Sequence, residues 1–297
     1  MALLLGRLLT VDGEPAEGVR VVVQWSRDTA ALGATDTLQA DAVGRFADLI
    51  REAAGDSIRI VVSPSRESNY YAVAVTVARD RLAEEVRLLL VPRRWTIRRG
   101  RYGGETVDID PRAALRRSPD RASFARVRGR RTVGWSADSY PIPIVFRRTR
   151  GTNVGAADSI AFWDTARAMD DAIGTPLFRP WSDTSALGRI FPVDVGVNSR
   201  IGSAAVTYVS WDSEGNVFEG SVSFRSAREL RSRSIVEHEL MHLLGFGHTT
   251  AWPSSVQPAG PPDRTITAED AAYAQLLLRA HALEADPLVI AGLADAR

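Results

Sequence analysis

The chain has 297 residues, more than one hydrophobic core usually encloses, so two domains are the expectation. Its 45% hydrophobic and 25% charged residues and net charge of +1 are ordinary for a globular protein, and this bulk charge selects no class of partner. There is no cysteine, which excludes disulfides, thiolate nucleophiles and cysteine-held metals, so any metal site must be built from histidine and carboxylate.

All 37 basic residues are arginine, a uniformity that reads as coding bias rather than a functional device. No apolar run approaches the roughly 20 residues needed to cross a bilayer, so no membrane span is expected. Met1 to Leu9 is a short apolar patch that runs into a turn at Asp12-Gly13. It lacks the charged start, full apolar stretch and small-residue cleavage site of a signal peptide.

Residues 1–92 read as all-β. Val19–Trp25, Ser57–Ser63, Tyr71–Val77 and Val86–Val91 are rich in β-branched residues or alternate in polarity. Turn signals at Asp12-Gly13, Ala54-Gly55-Asp56 and Ser63-Pro64-Ser65 separate them. Short strands at this spacing predict a small β-sandwich. The stretches GEPAEGVRVVV and ADAVGRFADL together resemble the carboxypeptidase regulatory-like fold. That resemblance covers about 80 residues and implies an accessory domain without chemistry of its own.

Residues 93–150 change character, with 16 arginines against 5 acids, a net of +11. The flanking segments carry −3 and −7. Such a stretch can bind nucleic acid, but no aromatic interleaving accompanies it, so no nucleic-acid partner is expected. Residues 93–139 are expected as a solvated linker beside an acidic domain.

The third region, residues 140–297, opens with a predicted strand at Pro141–Phe146. Ile160, Trp163, Ala166, Met169 and Ile173 follow at helical spacing within 156–173, and Gly174 ends that helix. Ile201–Trp211 and Asn216–Phe224 read as strands joined by Asp212-Ser213-Glu214-Gly215. Two more helices follow, the last over about Thr267–Ala285. Strand, helix, strands, helix, helix indicates an α+β (α/β) domain.

The chemistry sits in HELMHLLGFGH, residues 238–248. Ser226 and Glu229 fit a capping box at the start of this helix. His238 and His242 lie four apart, so both imidazoles leave one helical face and can share one Zn²⁺. Glu239 falls beside that ion, where a carboxylate can take a proton from water. Gly245 is placed to end the helix in a left-handed turn, bringing His248 round as a third ligand. Three protein ligands leave a coordination position open, the mark of a catalytic site. Three of the chain's four histidines fall on this pattern; His281 stands alone as a surface or packing residue.

The pattern His-Glu-x-x-His-x-x-Gly-x-x-His resembles the metzincin clan of zinc peptidases, more loosely its matrixin-like members. The resemblance covers about residues 140–285. It implies a mixed sheet above the active-site helix, with Asn216–Phe224 as the edge strand that pairs with an extended peptide substrate. It also implies zinc held by His238, His242 and His248, with Glu239 as general base. The sequence departs from the family at the methionine turn, where Trp252–Pro258 puts Val256 or Gln257 in place of the methionine. That loss is expected to loosen support beneath the ligands without abolishing binding. Tyr273 reads as a helix residue packing on the core.

The expected activity is a zinc metalloendopeptidase acting on protein or peptide. The alternative is a zinc-binding but catalytically weak interaction or adhesion protein whose β domain carries the function. The residues alone leave open a cytosolic protein or one whose export signal lies outside this sequence; the domain make-up implied by the resemblance points to an extracellular or cell-envelope location. The loop from Thr249 to Thr267 is expected to shape the substrate pocket.

Overall fold

The computed structural model describes residues 2–25, 35–50, 57–64, 69–79, 82, 85–128, 131–147, 154–182, 191–258 and 264–283. The fold is mixed α/β with several sheets, and five α-helices fall among the described residues. None of these helices is long and apolar enough to cross a membrane. The chain divides into two compact units. One runs to Arg94 and includes Asp108–Arg112 and Leu283; the other comprises Trp95–Val107 and Ala113–Ala282.

The first unit holds β1 (Ala2–Thr10), β2 (Arg20–Trp25), β3 (Thr35–Gln39), β4 (Arg45–Ile50), β5 (Ser57–Ser63), β6 (Val73–Ala78) and β7 (Val86–Leu90). They form one sheet in the order β4-β1-β7 and another in the order β3-β2-β5-β6. Alternation decides which side chains enter the core. Leu4 and Leu8 of β1 are buried, while Leu3 and Leu5 are 49% and 44% exposed. Leu4 and Leu8 share one apolar cluster with Val21, Val23, Ile58 and Ile60 of the other sheet. Four strands lie close to the expected runs. β1 forms where the sequence suggested only an apolar patch, its run of leucines masking the period of two. The turn expected at Ala54–Asp56 and the end of the one at Ser63–Ser65 lie outside the described residues.

In chain order the remaining elements are β8 (Arg94–Thr96), β9 (Thr106–Asp108), α1 (Pro111–Leu115), β10 (Val127–Arg128), β11 (Arg131–Thr132), β12 (Ile142–Phe146), α2 (Ala156–Ile173), β13 (Phe178–Pro180), β14 (Val193–Val197), β15 (Ala205–Trp211), β16 (Val217–Phe224), α3 (Ala227–Leu230), α4 (Arg233–Leu243) and α5 (Ala268–Ala282). The main sheet of the second unit has the order β13-β12-β14-β16-β15. Its first three neighbour pairs are parallel, and β15 runs antiparallel to β16 at one edge. The edge strand is therefore Ala205–Trp211, and Val217–Phe224 lies inside the sheet. This corrects the expectation for 216–224: the hairpin turn returns the chain inward, where β16 gains a second partner in β14. That turn is the predicted one, with Gly215 at φ 88° and the Asp212 carboxylate accepting from the amides of Glu214 and Asn216 at 2.9 Å each.

Helix α2 spans the predicted residues and ends at Gly174, whose φ of 77° satisfies the left-handed cap. The histidine-bearing helix is shorter than expected. Ser226 accepts from the Arg228 amide and caps only the single turn α3, and α4 starts afresh after Ser232.

The arginine-rich segment is not a linker. Trp95, Ile97, Phe124, Val133 and Trp135 are each at most 5% exposed. Trp95 donates its indole N–H to Gln275 of α5 at 3.0 Å, and Gln275 donates to the Ile173 carbonyl at 2.7 Å. Trp135 donates to the Leu243 carbonyl at the end of α4 at 2.7 Å. Gly134 bridges to the start of the β15–β16 hairpin's second strand. The arginines flank these apolar anchors, so charge counted over a window hid the alternating burial beneath it.

Candidate metal centre

Helix α4 lies against β15, β16 and α2, which fixes the height and rotation of its histidines. The spacing of four puts His238 and His242 on one face, as the helical period requires. The chain then leaves the helix at Gly245, φ 101°, whose amide still bonds to the His242 carbonyl at 3.0 Å. A Cβ at Gly245 would stand 2.5 Å from the Val133 carbonyl oxygen, and one at Gly247 2.3 Å from that of Ser123. Both glycines let the turn press against the arginine-rich segment, and the Gly247 amide donates to the Phe124 carbonyl at 3.0 Å. Phe124 stacks on Phe246 with centroids 4.9 Å apart. The turn is thereby pinned, and His248 comes back to the helix.

The three Nε2 atoms converge. His238 and His242 are 3.0 Å apart at these atoms, His242 and His248 3.1 Å, and His248 and His238 3.3 Å. Each ring's other nitrogen is engaged. His238 Nδ1 meets the Ser255 carbonyl and His242 Nδ1 the Phe246 carbonyl, both at 2.8 Å; His248 Nδ1 meets the Asp120 carboxylate. A carbonyl oxygen can only accept, so Nδ1 of His238 and of His242 carries the proton. Asp120, held at about 2, is ionised at neutral pH and imposes the same tautomer on His248. All three Nε2 lone pairs therefore point at one another. They repel unless a cation or a proton stands among them. Nitrogens sharing a tetrahedral ion at about 2.0–2.1 Å lie about 3.3 Å apart, close to the separations here. The three histidines thus fit a metal ion.

Electrostatics agree with this. Burial lowers the His238 pKa, aided by the neighbouring His248, while the Ser255 carbonyl opposes it. Burial holds His242 well below the usual imidazole range, and its two histidine neighbours add to the effect. Both rings are kept neutral, the form that binds a metal. Asp120 is subject to desolvation that raises its pKa, but hydrogen bonds from Ser118 and His248 outweigh it.

Glu239, 6% exposed, has its pKa pushed to about 7 by burial, with the Thr207 hydroxyl bond acting in the other direction. Thr207 on β15 donates to its Oε2 at 2.7 Å. The carboxylate is thus fixed against the edge strand.

Beneath the ligands, the turn at 252–257 is organised by a second acid. Asp270 opens α5 in a reciprocal cap with Thr267: its amide donates to Thr267 Oγ1 at 3.1 Å and its carboxylate accepts from the Thr267 amide at 3.2 Å. The same fully buried carboxylate accepts from Trp252 Nε1 at 3.0 Å and the Ser255 amide at 2.9 Å. It therefore holds the residue whose carbonyl meets His238. Val256 is fully buried here, and its carbonyl accepts from the Thr249 amide at 3.2 Å. Tyr273 packs face to face on Trp252 with centroids 4.4 Å apart, as a core residue. His281 is buried beside Gly134, away from the three-histidine group. Part of the 249–267 loop lies outside the described residues.

The histidines and Glu239 are the residues the sequence singled out, and the fold assembles them. Asp120 and Asp270 were not anticipated. Asp270 carries a local signal, the Thr-x-x-Asp cap; Asp120 carries none that points to His248.

No family model and no curated protein matches the chain. Among solved structures, a sea bream transthyretin in complex with thyroxine is similar at 21% identity, over 36% of this chain and 96% of that one, with a TM-score of 0.23. An (S)-allantoin synthase is similar at 14% identity, over 36% of this chain and 43% of that one, with a TM-score of 0.22. The chain spans less than half the length of that synthase. At such scores neither likeness bears on fold or activity.

Proposed function

We propose that the protein is a zinc-dependent endopeptidase of the metzincin type. Residues 1–92 would be a regulatory-like β-sandwich preceding the catalytic unit in the chain, and the protein would act outside the cell or in the envelope. One observation carries this reading: three imidazoles converge through Nε2 while every Nδ1 is tied down. An all-nitrogen set of three with one position open suits zinc in a hydrolytic site. When bound there, zinc supplies a Lewis acid that polarises a carbonyl and acidifies water.

The chain's own residues do the rest. His238, His242 and His248 hold the ion, and Ser255, Phe246 and Asp120 set their ring orientations. Thr207 occupies Glu239 Oε2, leaving Oε1 to take a proton from the attacking water and pass it to the departing amine. Among the described residues β15 is an edge strand, and it carries Thr207, so an extended peptide adding there would run past Glu239.

The test pairs metal analysis of the purified protein with digestion of a mixed peptide library, before and after chelation. About one zinc per chain and cleavage that chelation abolishes are expected. Absence of stoichiometric zinc, or full cleavage by Glu239→Gln, would end this reading. Bound zinc without cleavage would turn the protein into a zinc-stabilised binding module.

A further inference from the structure

The first unit carries a surface that the histidine centre does not use. Strand register sets Arg45 of β4, Arg7 of β1 and Arg87 of β7 directly beside one another. Residues paired in register share a face of the sheet, and Arg7 shares its face with Leu3 and Leu5, away from the core side chains Leu4 and Leu8. The three arginine side chains therefore leave the outer face in a row about 10 Å long, across all three strands. Arg87 is paired, with Glu85 Oε2 at 3.2 Å. Arg7 and Arg45 form no ion pair among the described residues. Asp41, close in sequence, accepts instead from the backbone amides of Val43 and Arg45. Like charges directly opposite on a sheet destabilise it, so this row calls for an outside anion. The same face continues as an apolar patch. Leu3 stands opposite Leu49 and Leu5 opposite Ala47, all four exposed, Leu49 at 58%.

We infer that this face docks on an anionic phospholipid surface, the leucines entering at the acyl boundary and the arginines meeting lipid phosphates. Each half of the patch matches one layer of such a surface. Along β1 the arginine row lies about 7 Å from Leu5 and about 14 Å from Leu3, so leucines dipped to the acyl boundary leave the arginines at headgroup depth. A guanidinium fork takes a phosphate through two N–H groups, which suits the unpaired Arg7 and Arg45. A free anion would neutralise the row and leave the leucines wet. An apolar partner would cover the leucines and leave the charge unmatched. An anionic lipid surface answers both.

The experiment is co-sedimentation of the full chain with two kinds of vesicle, phosphatidylcholine alone and equal parts phosphatidylcholine and phosphatidylglycerol. Saturable binding to the mixed vesicles is expected, tighter than to phosphatidylcholine by about tenfold or more and weakened by salt. Arg7→Gln combined with Arg45→Gln should weaken it about 30-fold. Leu3→Thr combined with Leu49→Thr, which keeps strand propensity, should weaken it about tenfold. Both variants should keep the wild-type melting temperature, because these side chains lie on the outer face. Should either pair melt lower, Arg45→Gln and Leu49→Thr alone, both on β4, carry the test. No binding, or equal binding to phosphatidylcholine, would overturn the assignment. Wild-type affinity in the arginine variant would place the contact elsewhere on the chain, and wild-type affinity in the leucine variant would reduce the row to an anion site; each overturns it. So would a dimer in sedimentation that the leucine variant breaks while no vesicle is bound.

Discussion

Residues 238–248 and residues 113–135 serve one centre by opposite routes. The first is local. Helical period, a left-handed glycine and three imidazoles place the ligand atoms within eleven consecutive residues. The second works across the chain: Asp120 reaches His248 over a separation of 128 residues, and the Ser123 and Phe124 carbonyls meet the turn that carries it. Which atoms could hold a metal is thus written in one short motif, and how firmly they are placed is written elsewhere. The contrast sorts substitutions into those that delete binding, those that delete chemistry and those that loosen geometry.

The largest effect belongs to the local half. His242→Ala removes a ligand whose ring is 8% exposed and central to the triangle, and zinc content should fall from about one per chain to none, read by elemental analysis. Glu239→Gln keeps the three nitrogens and the Thr207 contact but cannot hold a proton. Zinc should stay, and peptide turnover should fall by about 10²–10⁴-fold. If both variants lost zinc equally, the split between binding and chemistry within the motif would be gone.

Asp120→Asn tests the distant half. The amide oxygen can still accept from His248 Nδ1, but the charge that strengthens the bond is lost. Zinc affinity should weaken about 10–100-fold, measured by competition with a chromophoric chelator. Unchanged affinity would reduce the arginine-rich segment to scaffolding and dissolve the contrast.

That contrast also explains how much was legible in the sequence. Helix α2, the hairpin at Asp212–Gly215 and the histidine spacing follow from local rules of period and turn chemistry, and they appear as read. Segment 93–139 was misjudged because net charge averages over side chains that alternate in burial. Trp95, Phe124 and Trp135 are the informative residues there, and a linker has no reason to carry two tryptophans. The position of β15 at the edge was beyond local rules, because strand order depends on which partner each strand finds after the chain has turned. Asp120 was invisible for the same reason.

Trp135→Phe measures how firmly the segment is docked. It removes the indole N–H that satisfies the Leu243 carbonyl, a buried acceptor at the end of the ligand helix. Unfolding by urea should show a loss of about 1–3 kcal/mol, with zinc stoichiometry intact under saturating metal.

The smallest effect is expected at the other place where the segment meets the core. Gly100 and Arg101 pack on the end of α2, where the Arg101 amide donates to the Asp171 carbonyl at 2.9 Å. Asp170, one residue earlier, accepts from the Leu177 amide at 2.9 Å, and burial pushes its carboxyl to about 6 from an ordinary 3.8. Below pH 4 the group is protonated in folded and unfolded chains alike. Between about 4 and 6 the unfolded chain sheds the proton while the folded chain retains it, so this residue's contribution falls as pH rises and levels off above the folded value. Asparagine keeps the acceptor for Leu177 and never ionises. Asp170→Asn should therefore gain stability relative to wild type as pH is raised from 4 to 7, with no difference in slope above 7. Thermal melts of the two proteins across this range give the answer. A pH-independent difference would mean that Asp170 ionises at no cost, and that the end of α2 is more open to solvent than its packing against the arginine-rich segment implies.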